Sequence, residues 1–123
     1  MTEDGKKLKI LIIRLSAIGD TIHTLPMVYE LRKSFPNAQI DWVVEQKAKQ
    51  FVVNNPLLDN VFVVEKLCFK NFSKVETVIN KIRETVYDIA IDTQQLLKSG
   101  VFLHFVKAKR KIMLSGAREL SFI

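Results

Sequence analysis

Hydrophobic residues fall along this chain in short blocks whose period changes repeatedly. "KILIIR" (Lys9 to Arg14) is an unbroken apolar run between cations, the pattern of a strand covered on both faces. Val28, Leu31 and Phe35 then recur at helical spacing and predict a helix that starts near Asp20 or Thr24 and runs to Phe35. Pro26 is expected in the first turn of that helix, where its missing N–H costs nothing. "FPNA" stops the helix, and "QIDWVV" (Gln39 to Val44) is a second strand. "EQKAKQFVV" predicts a short helix, "NNPLLDN" a loop, and "VFVVE" (Val61 to Glu65) a third strand.

"KLCFKNFSK" has no clear period and is expected to be irregular. Val75, Val78, Ile79, Ile82 and Val86 then occupy one face of a helix, with Ser73 as its expected cap and Glu76 completing a capping box. "YDIAID" (Tyr87 to Asp92) is a fourth strand, "QLLKSGVFLHFVKA" a helix apolar on most sides, and "RKIML" a fifth strand. "SGARELSFI" begins a further element. Strand and helix alternate throughout, which predicts an α/β fold: a Rossmann-like parallel sheet with right-handed crossovers and helices on both faces. There is no internal repeat or linker, so residues 1–123 are expected to form a single domain. Ligands of such sheets bind at the carboxyl ends of the strands. Asp20 follows the first strand and Asp92 closes the fourth, so both belong to that edge.

Composition narrows the class. The 123 residues are 48% apolar, ordinary for a globular chain. No window approaches the roughly 18 consecutive apolar residues of a membrane span. The polar start "MTEDGKKLK" does not resemble a secretory signal. A single cysteine, Cys68, excludes an internal disulfide framework and fits a reducing, cytoplasmic setting. The net charge of +6 is concentrated late: Lys98, Lys107, Lys109, Arg110, Lys111 and Arg118 face only one acid, Glu119, after residue 97. That imbalance fits an anionic partner or a solvated basic face equally well. No metal-ligand spacing, dinucleotide fingerprint or phosphate-binding GK[ST] loop is present.

Four segments then occur in order: "IRLSAIGDTIHTLP", "IDWVVE" (Ile40 to Glu45), "YDIAIDTQQLLKSG" and "GARE" (Gly116 to Glu119). Together they resemble the N-terminal domain of bacterial lipopolysaccharide heptosyltransferases, nearest the heptosyltransferase I type, from about Lys9 to Glu119. Gln95 departs from the glycine the family often carries there, which bears on any tight backbone approach at that turn. The resemblance implies the GT-B arrangement, two Rossmann-like domains facing one cleft. It also implies heptose transfer from ADP-heptose to Kdo of the inner core, with inversion and without a metal or other cofactor. This chain would be the acceptor-side half, the C-terminal donor domain being absent, and inactive when isolated. The acceptor would be Kdo-lipid A and the location cytoplasmic, peripheral on the cytoplasmic face of the inner membrane, with no nucleic-acid partner.

Carried onto these residues, the resemblance makes Asp20 the general base that takes the acceptor's hydroxyl proton. From the residues alone, an aspartate capping a helix accounts for the same position. Gly19 would allow a tight turn before it, and Ser16, Ala17 and Ile18 form a loop whose amides suit an anion. His23 is either a hydrogen-bonding neighbour of the site or structural, and Thr24 is expected as a cap. Lys98 is either a contact for acidic acceptor groups or a surface lysine. Asp92 and Gln94 are candidates for orienting sugar hydroxyls, although Asp92 equally suits a helix cap. Lys66, Lys70 and Lys74, interleaved with Leu67, Phe69 and Phe72, are placed at the acceptor surface, with the two phenylalanines better read as core. The competing function is a non-catalytic Rossmann-like binding or assembly domain that uses the basic C-terminal region. A receiver-type signalling domain lacks support, since Asp20 has no adjacent acidic partner.

Overall fold

The computed structural model of the chain describes residues 7–15, 18–65, 72–94, 97–115 and 119–122. Six strands form one sheet: β1 (Lys9–Ile13), β2 (Gln39–Glu45), β3 (Asn60–Val64), β4 (Tyr87–Asp92), β5 (Ala108–Ser115) and β6 (Glu119–Phe122). Their spatial order is β3-β2-β1-β4-β5-β6. The first five are parallel, with Ile13 opposite Val43 of β2 on one side and Asp92 of β4 on the other. Three α-helices are described, α1 (Ile18–Ser34), α2 (Phe72–Ile82) and α3 (Leu97–Phe105), together with a 3-10 segment at Gln46–Phe51.

Successive side chains of a strand point to opposite faces, and the core divides accordingly. Leu11, Ile13 and Val43 pack with Val75, Ile79 and Ile82 of α2 and Phe102 of α3. Ile10, Ile12, Ile40, Trp42 and Val44 pack with Val28, Leu25 and Leu31 of α1 and with Ala48 of the 3-10 segment. Both faces of β1 and β2 are therefore covered, as their unbroken apolar runs require.

Several boundaries differ from expectation. Pro26 lies inside α1, not in its first turn. Burial of Leu25, Val28 and Leu31 against the sheet carries the helix through the lost amide bond. Thr24 is a buried residue of the helix interior and Ser73 the second residue of α2, so neither is a cap. The Ser73 carbonyl instead accepts from the Thr77 hydroxyl at 3.0 Å. Val86 lies beyond α2 and is exposed. Ala108, expected in a helix, starts β5, because pairing of Tyr87 with Ala108 outweighs local helical preference. The further element begun by "SGARELSFI" supplies β6, which runs antiparallel to β5, with Ser115 opposite Glu119. A three-residue connection cannot make the crossover of a dozen or more residues that parallel pairing needs.

Carboxylates organise the amino-terminal edge of the sheet. Asp59 accepts the amide of Ile40 at 2.8 Å, and Asp88 accepts that of Lys9 at 2.8 Å. Arg32, near the end of α1, pairs with Asp59 at 2.9 Å and donates to the carbonyls of Leu57 and Ala38 at 2.8 and 2.6 Å. This edge is thereby occupied by structural bonds, and the opposite edge carries the candidate site.

Candidate active site

The chain moves outward from β1 to β2 and β3, then returns to place β4 on the other side of β1. The connections leaving the carboxyl ends of β1 and β4 therefore diverge, and an α/β sheet has its ligand crevice at this switch point. Asp20 stands there as the third residue of α1. An acid in a helix's first turn is favoured by the partial positive charge of the exposed amides. Gly19 is the second residue of the same helix, so it is helical and not the tight turn expected of it.

The two strand ends are tied together. The Thr93 amide donates to the Ile13 carbonyl at 3.1 Å. The Arg14 guanidinium donates through Nε to the Thr93 hydroxyl at 2.8 Å and through Nη2 to the Thr93 carbonyl. The Leu15 amide donates to Gln94 Oε1 at 2.8 Å. On the β2 side, the Trp42 indole donates to the Arg14 carbonyl at 3.0 Å and the Glu45 amide to the Leu15 carbonyl at 3.0 Å. Asp92 is fully buried, and its carboxylate accepts the Gln94 amide at 2.9 Å and the Ser99 hydroxyl at 3.0 Å. In this chain Asp92 therefore joins the β4 loop to the first turn of α3, through the Gln94 amide and the Ser99 hydroxyl.

The remaining candidates are distributed unevenly. His23 and Thr24 lie three and four residues beyond Asp20 on α1, His23 exposed and Thr24 buried. Lys98 is the second residue of α3, next to Ser99. Ser16, Ala17, Lys66, Lys70 and Gln95 lie outside the described residues. Lys74 is exposed on α2 and pairs with Glu65 at 2.7 Å, beside a cleft of about 310 Å³ between β3 and α2. Arg14, Thr93 and Ser99 were missed by sequence reasoning. The one available signal was a cation ending the buried run "KILIIR". Among the described residues, no group of three or more His, Cys, Asp or Glu is arranged to hold a metal ion, and no helix is long and apolar enough to cross a membrane.

This strand order is that of a Rossmann-like domain, and the solved structures it matches make it a partial domain of the GT-B glycosyltransferase type. The fold matches a glycosyl transferase family 9 structure from Veillonella parvula with a TM-score of 0.78 and 26% identity, covering 87% of this chain and 32% of that one. It also matches Escherichia coli heptosyltransferase WaaC with ADP-2-deoxy-2-fluoro heptose, at a TM-score of 0.76 and 24% identity, covering 91% of this chain and 38% of that one. More particularly, the chain is heptosyltransferase-like in sequence. It is 30% identical to lipopolysaccharide heptosyltransferase 1 of Pseudomonas aeruginosa over 80% of its length, and 30% identical to that of Escherichia coli K12 over 78%. The chain spans 30 and 32% of the length of these two relatives. No protein-family model matches it.

Proposed function

We propose that this chain is the acceptor-side domain of an inverting heptosyltransferase, which moves heptose from ADP-heptose to Kdo of a Kdo-lipid A acceptor. The observation that carries the reading is the place of Asp20 in the first turn of α1, at the carboxyl end of β1 and beside the switch point. In the reaction, the Asp20 carboxylate takes the proton of the acceptor hydroxyl while that oxygen attacks the anomeric carbon. The bond from that carbon to the ADP phosphate oxygen breaks, and ADP leaves with the electron pair. One base is sufficient for such a displacement. Donor groups that stabilise the departing diphosphate would come from a second domain. Because the acceptor is lipid-linked, the enzyme would work at the cytoplasmic face of the inner membrane.

The non-catalytic alternative uses the basic C-terminal region. Two of its cations have partners within the fold: Lys109 lies 3.5 Å from Asp88, and Lys111 donates to the His104 carbonyl at 3.0 Å. The test is release of ADP from ADP-heptose, dependent on Kdo-lipid A, by the protein that carries this chain. Acceptor-dependent release supports the proposal; its absence with a folded protein overturns it.

A further inference from the structure

The hydrogen bonds at the switch point form a continuous path. The Ser99 hydroxyl, in the first turn of α3, donates to Asp92 Oδ2, whose other carboxylate oxygen accepts the Gln94 amide. The Gln94 side chain in turn accepts the Leu15 amide, five residues before Asp20. Each step joins a different piece of structure: α3 to β4, β4 to its loop, and that loop to the end of β1. Asp92, Ser99 and Leu15 are all fully buried. A buried amide such as that of Leu15 needs an acceptor, and here the acceptor is a side chain that local backbone geometry does not supply.

We infer that Gln94, anchored by Asp92 and Ser99, is a positioning residue: it fixes the β1 end from which α1 and Asp20 emerge. The inference rests on the proposed function and gives Gln94 a different task from the acceptor contact expected of it. Arg14 braces the same junction by its two bonds to Thr93, which tie the β1 end to the β4 end. A base displaced by a fraction of an ångström from its proton loses rate while substrate binding is preserved. Contact with the acceptor would have the opposite signature, since loss of ground-state binding raises KM.

The test uses Gln94→Met, close in size but without the amide oxygen, and Gln94→Glu, which restores an acceptor oxygen. Ser99→Ala perturbs the far end of the path more mildly. In the 123-residue chain, amide exchange at Leu15 should quicken about tenfold in Gln94→Met relative to the other β1 amides, and recover in Gln94→Glu. In the transferase, Gln94→Met should lower kcat about 10- to 100-fold with acceptor KM within about twofold. Ser99→Ala should shift kcat in the same direction by less. Tyr87→Phe, at the opposite edge of the sheet, is the control for general destabilisation and should leave kcat unchanged. Unaltered Leu15 exchange, or a raised acceptor KM with kcat preserved, overturns the positioning role. A folded wild-type protein without transferase activity removes the proposed function and the positioning role with it, whereas the Leu15 exchange result tests the hydrogen-bond path by itself.

Discussion

The Tyr87 hydroxyl donates to Asp41 Oδ2 at 2.7 Å, joining β4 to β2 across β1 within the sheet's interior. Asp41 is fully buried and also accepts from Gln39 at 2.9 Å and Asn60 at 3.1 Å. Three donors thus satisfy a carboxylate that would otherwise be costly to remove from water. Burial, and then the bond to Asp41, push the Tyr87 phenol well above the ordinary tyrosine value.

The raised phenol predicts a loss of stability in alkali. A group whose folded value exceeds its unfolded value stabilises the fold fully below the unfolded value, about 10 for tyrosine. That contribution declines as pH rises above it. The denaturation midpoint should therefore hold up to about pH 10 and fall progressively as the pH rises above it, and fall less in Tyr87→Phe. Tyr29→Phe removes the only other tyrosine, so tyrosinate absorbance in that variant reports Tyr87 alone. It should appear together with unfolding; appearance in the folded chain would contradict the buried bond.

Arg32→Lys should not preserve the clamp at the end of α1. The guanidinium reaches the Ala38 carbonyl through Nη1, and both the Leu57 carbonyl and Asp59 through Nη2. A lysine ammonium is a point donor and cannot reproduce that fork. We expect a loss of about 1–3 kcal/mol, measured by urea denaturation, and nearly the same loss for Arg32→Ala. Full stability in the lysine variant would show that one contact suffices.

Under the proposed function, Asp20→Ala should lower transferase turnover about 10²–10⁴-fold, the usual contribution of a positioned base. Thermal denaturation should change little by comparison, because a first-turn acid contributes only about 0.3–1 kcal/mol through the helix dipole. Steady-state rates with donor and acceptor decide this. Near-normal turnover in the folded variant would remove Asp20 from the reaction.

Replacing Lys66, Lys70, Lys74 and Lys98 together with glutamine should weaken acceptor binding at low salt, and the deficit should shrink as salt rises. Exposed charges are screened over about 8 Å at physiological ionic strength. Lys74 already shares its charge with Glu65, so Lys74→Gln alone should contribute least. Binding of an acceptor analogue at two salt concentrations checks this, and unchanged affinity at low salt would return these lysines to the solvated surface.

Sequence by itself determined the five parallel strands and the edge that carries Asp20 and Asp92. Each strand is an apolar block long enough to identify its period, and alternation with helices dictates which ends share an edge. Tertiary structure decided the matters that depend on distant partners. Pro26 is tolerated inside α1 because its neighbours Leu25, Val28 and Leu31 pack with Ile10 and Ile40. The chain end turns back as β6 because β5 offers it an edge. Asp41 meets Tyr87 46 residues away, and Leu15 meets Gln94 79 residues away. Periodicity is a local property, legible within a few turns of chain. A buried hydrogen bond across a sheet exists only once strand order has set two remote side chains against each other.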